Sequence, residues 1–225
     1  MSPPERLVQI LTNKGSLPPA SPWAEAVAQV RRELFLPGVI EADDRTIDRF
    51  QSPERWMRAV YGDLALVTQV NEGRELGESA YQRPTSSSSM PSIMLEMLDL
   101  LDAQPGQRVL EVGAGTGYNA ALLSHRLGST NVTTVDIDGV LVERAEKNLT
   151  TAGYEPRVAR GNGHEGWAAG APYDRLVATY TVSEIPNGST AQATSSTEKH
   201  HGAGSPLNVS WGSRRRDLWG SALSW

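Results

Sequence analysis

Glu111, Gly113, Gly115 and Gly117 stand at alternating positions in the run Val109-Leu110-Glu111-Val112-Gly113-Ala114-Gly115-Thr116-Gly117-Tyr118-Asn119. Glycines at this spacing let the backbone turn tightly, and a turn that joins a strand to a helix N-terminus offers its N–H groups to a nucleotide-like ligand. Two such ligands are disfavoured. A pyrophosphate-binding turn needs a third small residue at position 118, which is Tyr118, and a triphosphate loop closes on Gly-Lys-Ser or Gly-Lys-Thr, whereas this turn has no lysine. Asp136 stands about 20 residues further on, where an acid at a strand tip accepts both hydroxyls of a ribose; a helix N-cap is the other reading for Asp136 or Asp138. Asn162, between Gly161 and Gly163, offers an amide to an adenine edge or simply closes its own turn. The absence of cysteine removes disulfides, thiolate chemistry and cysteine-held metal. His200-His201 has no further ligands at metal spacing, so no metal site is expected.

The elements that must hold these residues alternate. Val109, Leu110 and Val112 form a buried strand ahead of the turn, and Ala120-Ala121-Leu122-Leu123 begins the helix that ends at Gly128. A strand over residues 132–137, a helix over 139–152, a strand over 157–160 and a strand over 175–180 follow, which predicts a parallel sheet with helical crossovers. Ahead of the turn, Ile93, Met94, Met97, Leu98 and Leu101 make one apolar face of a helix that starts at Pro91. The run Ser86-Ser87-Ser88-Ser89 just before it reads from composition as a linker, with Ser89 as an N-cap. Residues 4–13, 23–36 and 53–60 carry helical patterns, residues 41–51 are charged and weakly patterned, and residues 73–81 are polar.

The chain has 225 residues, 39% of them hydrophobic and 21% charged, with a net charge of −5. That is the composition of a soluble globular protein, and the acidic balance argues against nucleic acid as a partner. No apolar run reaches membrane-spanning length, and no apolar stretch follows the charged N-terminus as a signal peptide would require, so a cytoplasmic location is expected. The expected organisation is a helical N-terminal cap over residues 1–84, a ligand-binding core over 85–186, and an irregular, disordered tail over 187–225.

The Glu-x-Gly-x-Gly-x-Gly form of the turn resembles motif I of the Rossmann-like S-adenosylmethionine-dependent methyltransferases, whose ligand has no pyrophosphate and whose ammonium group favours a nearby carboxylate. Residues 85–186 also resemble the protein-L-isoaspartate O-methyltransferase family. The matching pieces are Ser89-Met90-Pro91 before a helix, the run 109–119, Val135-Asp136, Gly161-Asn162-Gly163, Ala171-Pro172-Tyr173-Asp174 and Ile185-Pro186, in the family's order. The resemblance implies an α/β Rossmann-like fold, S-adenosyl-L-methionine as cofactor, and methylation of the carboxylate of isoaspartyl residues in proteins or peptides as a repair reaction. It implies Ser89 as the residue that acts on substrate, with Ser87 and Ser88 lining the cofactor site. Gly113, Ala114 and Gly115 would meet the methionine part, with Glu111 and Gly117 in the same turn. Asp136 and Ile137 would meet the ribose and adenine, and Asn162 and Gly163 the adenine edge. A carboxylate with a pKa near ~4 is already ionised at neutral pH, so such chemistry needs positioning rather than a general base.

Departures leave two alternatives open. Position 162 is Asn where the family commonly has Asp, and Met90 occupies a slot usually held by a small or amide residue. The family's closing C-terminal strands are not visible after Pro186, as though the chain were truncated or its reading frame shifted. The alternatives are a relative that methylates aspartate in a partner peptide, and an inactive cofactor-binding remnant.

Overall fold

A computed structural model describes residues 1–74 and 83–180, and the backbone of 209–210. Helix α1 (Pro3–Asn13) opens with a reciprocal cap in which Ser2 and Glu5 each bind the other's N–H, and it buries Leu7 and Leu11 one turn apart. The helix expected over residues 23–36 is interrupted. After α2 (Ala24–Gln29), Val30 and Arg31 are extended, and the chain resumes as one 3-10 turn, Arg32–Phe35. That break turns Arg32 and Phe35 inward, and both are fully buried.

Helices alone do not describe the N-terminal region. The weakly patterned stretch forms an antiparallel hairpin of β1 (Val39–Ala42) and β2 (Arg45–Asp48). Asp43 and Asp44 make its turn with φ of 49° and 57°, the positive values that a two-residue hairpin turn requires and that Asp tolerates well. After α3 (Pro53–Val60) come β3 (Leu66–Val70) and β4 (Pro84–Ser88), giving a sheet in the order β2-β1-β3-β4. Most of the serine run is therefore a strand at a sheet edge, not a linker.

The remainder follows the expected alternation. It comprises α4 (Pro91–Leu101), β5 (Val109–Val112), α5 (Tyr118–Leu127), β6 (Val132–Asp136), α6 (Gly139–Thr151), β7 (Arg157–Arg160), β8 (Arg175–Ala178) and β9 (Val209–Ser210). All pairs in this second sheet are parallel, in the order β7-β6-β5-β8-β9. The order reverses at β5: the next two strands lie on one side of it and β8 on the other. Ligands of open α/β sheets bind at the carboxyl ends of strands at such a reversal. A strand does occur after residue 186, since Val209 and Ser210 pair with Leu176 and Val177. Otherwise the tail over 187–225, the Ile185-Pro186 match and most of the polar stretch near residue 75 lie outside the described residues. Among the described residues no helix is long and apolar enough to cross a membrane.

Alternation along β5 sends Leu110 and Val112 to one face, with Val135, Tyr173 and Leu176, and Val109 to the other. The core on the second face runs unbroken from Leu7, Leu11 and Trp23 through Phe35 and Trp56 to Leu98 and Leu122. Residue 84 thus marks no gap in the core. Glu111 shares the face of Val109 and is fully buried, accepting a hydrogen bond from Asn119 Nδ2 at 2.7 Å. Its other oxygen has no partner among the described residues. Burial pushes its pKa up from 4.5 to about 7.

Two outcomes are expected. Gly117 has φ of +87°, and a methyl group there would lie 3.2 Å from both the Ala145 carbonyl and Leu149 Cγ of α6. Gly117→Ala should lower stability in urea unfolding by about 1–3 kcal/mol, whereas an unchanged midpoint would mean that the turn relaxes freely. For Glu111, the native state keeps its proton up to about pH 7 while the unfolded chain loses it near 4.5. Its contribution therefore turns against folding as pH rises through that window. Glu111→Gln should gain on the wild type between pH 4.5 and 8 by up to about 3 kcal/mol; a constant difference would show that Glu111 ionises as freely folded as unfolded.

Candidate active site

The turn after β5 is built by three positive φ values, +101° at Gly113, +53° at Gly115 and +87° at Gly117. Its position is fixed from both sides of the strand. The Gly113 N–H donates to Val135 O at 2.8 Å, and the Gly115 N–H to Asp136 Oδ2 at 3.1 Å. From α6, Asn148 Nδ2 donates to Thr116 O at 3.0 Å. On the β8 side, the Thr179 hydroxyl donates to Gly113 O at 2.7 Å. A methyl group on Gly113 would lie 2.7 Å from that hydroxyl and 3.4 Å from the Tyr180 ring, so close approach as well as φ calls for glycine.

The acids at the tip of β6 divide the two roles that the sequence leaves open. Asp138 is the N-cap of α6, accepting from the Val140 N–H at 2.8 Å, and its other oxygen takes Gln69 Nε2 of β3 at 3.0 Å. Asp136 faces the turn, with one oxygen on the Gly115 N–H and the other on the Asp138 N–H at 3.1 Å. Each carboxylate oxygen keeps a second lone pair for a ligand hydroxyl. Ile137 beside it is 68% exposed, an apolar surface at the mouth of the turn. Across the cleft, Asn162 closes its own turn: its Oδ1 accepts from the His164 N–H at 3.1 Å, and its Nδ2 donates to Glu165 Oε1 at 3.2 Å. Gly163 is buried, and a Cβ there would sit 2.0 Å from Val112 Cγ1 and 3.3 Å from the Tyr180 hydroxyl. Tyr180 itself has its pKa raised, by burial first and then by the Asp136 carboxylate.

β4 brings the serines to the same place. A methyl group on Gly115 would lie 3.8 Å from Ser86 Oγ and 4.0 Å from the Ser87 carbonyl. Ser87 is exposed and Ser89 half-buried, and among the described residues the Ser89 hydroxyl has no hydrogen-bond partner. Ser88 is buried instead, with its hydroxyl accepting from Arg32 at 3.1 Å. Ser89 is not the cap of the helix that follows. Helix α4 begins at Pro91 with no side-chain cap of its own, and the Ser92 N–H is held at 2.8 Å by Asp63, which also pairs with Lys14 at 2.7 Å.

Arg32 is the site feature that sequence reasoning missed. Its guanidinium is fully buried and donates to the carbonyls of Val60, Gly62, Leu64 and Ser89 and to Ser88 Oγ, at 2.9–3.3 Å. It also lies 5.6 Å from the centre of the Tyr118 ring, which packs on Phe35. Burial lowers its pKa to about 10, so it is a cation at neutral pH. The signal available was only an arginine at the break of an apolar helix pattern.

Ser86 and Ser87, Gly113, Ala114 and Gly115, Asp136 and Ile137, and Gly163 thus lie around the carboxyl end of β5, and Ser89 follows two residues after Ser87. Glu111 and the Ser88 hydroxyl point into the protein. The arrangement fits a nucleoside with a small polar extension: close-approach glycines, an acid with lone pairs left by its backbone donors, an exposed apolar side chain and serine hydroxyls of β4. Two surface depressions, of about 270 and 430 Å³, lie elsewhere, around Arg55 on the antiparallel sheet. They offer arginines but no comparable set of groups.

A model of the protein-L-isoaspartate(D-aspartate) O-methyltransferase family matches residues 37–196. A protein-L-isoaspartate O-methyltransferase of Methanothermobacter thermautotrophicus is 32% identical over 184 residues, which cover 81% of this chain and 70% of that one. The enzyme of the same name from Methanosarcina mazei is 38% identical over 60% of this chain and 50% of its own. A solved protein-L-isoaspartate O-methyltransferase superposes with a TM-score of 0.62 at 29% identity, covering 85% of this chain and 52% of that chain. A Plasmodium falciparum protein assigned to the same class and solved with S-adenosyl-L-homocysteine shares the fold, with a TM-score of 0.56 at 14% identity over 84% of this chain and 78% of that one. Except for the M. thermautotrophicus enzyme, the chain spans about half the length of the first curated relatives it matches. With well over half its length matched by the family model, the chain belongs to the protein-L-isoaspartate(D-aspartate) O-methyltransferase family.

Proposed function

We propose that this chain transfers a methyl group from S-adenosyl-L-methionine to the carboxylate of L-isoaspartyl residues in proteins or peptides. The observation that supports the reading is the approach of β4 to the glycine turn, where a methyl group on Gly115 would lie 3.8 Å from Ser86 Oγ and 4.0 Å from the Ser87 carbonyl, two residues before Ser89. Family membership supplies the reaction class.

In this reading Gly113, Ala114 and Gly115 give the cofactor's amino-acid part a surface without side chains in the way. Asp136 accepts the ribose hydroxyls on the lone pairs left by its two backbone donors, and Ile137 packs on the base. Gly163 lets the adjoining turn close over the end of β5, and Asn162 keeps one amide hydrogen and one lone pair for the base edge. The bound sulfonium supplies an already activated methyl group. Ser89 donates its hydroxyl to one oxygen of the substrate carboxylate and so aims the other. The carboxylate is ionised at neutral pH, so no residue need remove a proton. The protein's task is alignment and exclusion of water.

Ser89→Ala should reduce turnover of an isoaspartyl peptide about ten- to a hundredfold, the worth of one hydrogen bond to a charged group, and leave S-adenosylhomocysteine affinity within about twofold. Asp136→Ala should instead weaken that affinity about tenfold or more, since it loses the ribose acceptor and the tether on Gly115. Titration calorimetry beside a methyl-transfer assay separates them, and equal effects on affinity alone would contradict the roles. Running isoaspartyl and aspartyl versions of one peptide in parallel tests the substrate class: transfer to the aspartyl form alone would replace this reading with the partner-peptide one.

A further inference from the structure

Among the described residues, the guanidinium that holds Ser88 and Ser89 is paired with no carboxylate. The five acceptors of Arg32 are four carbonyls and the Ser88 hydroxyl, all neutral. Among the described residues it makes no salt bridge, and its Nε has no hydrogen-bond partner. The nearby acid, Asp63, is already occupied by Lys14 and the Ser92 N–H. Stability alone is a poor reason for this arrangement. A buried charge gives up hydration that neutral hydrogen bonds only partly restore, and apolar replacements of buried charged groups are often neutral or stabilising. Two of its five acceptors, moreover, belong to Ser88 and Ser89.

We propose that Arg32 is a positioning and charge-selecting residue for the acceptor substrate: it fixes the Ser88–Ser89 backbone and biases the adjoining pocket toward a carboxylate. The inference rests on the methyl-transfer reading above. Holding the Ser89 carbonyl fixes that residue's backbone, and with it the position from which its hydroxyl is presented. The Ser88 hydroxyl accepts from Arg32, which holds its buried oxygen on the inner side of the strand. The buried cation then acts at short range through a medium of low dielectric, favouring an anion over a neutral group of the same shape. Substrate and product differ in just this respect. The acceptor is an anion and its methyl ester is neutral, so the same charge that draws the substrate in gives no hold on the product.

The test compares an isoaspartyl peptide with its carboxamide counterpart, which has the same shape and no charge. For the wild type, the KM for the carboxylate peptide should lie about tenfold or more below the inhibition constant of the carboxamide peptide. Arg32→Gln should raise that KM about tenfold and bring the ratio close to one, with S-adenosylhomocysteine affinity within about twofold of wild type. Arg32→Lys, which keeps the charge without the fork, should retain the ratio and lose kcat. A folded Arg32→Gln protein with an unchanged ratio overturns the inference, as does Arg32→Lys losing the ratio as fully as Arg32→Gln.

Should Arg32→Gln fail to fold, Ser88→Asp provides the second arm by pairing the cation in place, with Ser88→Asn as its neutral control. Collapse of the ratio in Ser88→Asp alone supports the proposal, and a ratio kept in both overturns it. Absence of any transfer by the wild-type chain sinks the functional reading and this inference with it. Wild-type transfer with ratios that ignore Arg32 sinks the inference alone.

Discussion

The hydrogen bond from the Gly115 N–H to the Asp136 carboxylate joins the turn after β5 to the tip of β6, and the rest of the site is arranged around it. A turn of three positive-φ glycines has little conformational preference of its own, because glycine gives up the most freedom on folding. Something must select one conformation. Asp136 does so with an oxygen that keeps capacity for a ligand, so the group that orders the turn also presents an acceptor beside it. The second oxygen spans the two residues to the Asp138 N–H, and Asp138 in turn caps α6, whose Asn148 reaches back to Thr116. Strand, turn and helix therefore hold one another through a closed circuit of polar contacts. The ligand surface is a by-product of that circuit, not an addition to it.

The parallel half of the molecule was readable because its signals are local and repeated. Strands such as 109–112 and 132–136 are buried on both faces and rich in Val, Leu and Thr, while the helices that follow them end at Gly128 and Gly153. The antiparallel sheet was not readable, for equally physical reasons. Its strands are four or five residues long, β2 is largely exposed, and β4 is composed of Pro, Thr and Ser. None offers an alternation long enough to stand out from a loop. The turn that would have marked the hairpin, Asp43-Asp44, uses no glycine. Within the site, the glycine and acid positions followed from spacing, whereas Arg32 did not, because its meaning lies in contacts 28 to 57 residues away.

The N-terminal region shares its core with the sheet, and this changes how Ser89 is understood. The serine sits between an edge strand and a helix that cannot cap itself. Proline at the start of α4 leaves the end of that helix to be held from elsewhere, by Asp63 and behind it Lys14 of the loop after α1. Arg32 holds the other side of the same short segment. Arg32 and Asp63 thus fix three positions of this short segment, Ser88, Ser89 and Ser92. A region that the sequence reads as a helical cap is thus the part of the chain that holds the backbone on both sides of Ser89.

Tyr118 links these observations. A glycine or alanine at this position would suit a pyrophosphate-binding turn, which needs the helix to approach the ligand closely. The tyrosine takes the start of α5 out of that role and fills the space on its inner side, its ring tilted against Phe35 at 5.5 Å between centroids and facing the Arg32 guanidinium. The substitution that rules out a dinucleotide is thus the one that docks the N-terminal region onto the glycine turn. Because Arg32 also reaches Ser88 and Ser89, a single buried contact connects the helix that begins at the cofactor turn with the segment proposed to hold the acceptor. In the proposed reaction, Tyr118 and Arg32 would register the donor and acceptor sides to each other. For a reaction that depends on alignment of three atoms and on no proton transfer, that registration is the structural requirement with the greatest leverage on rate.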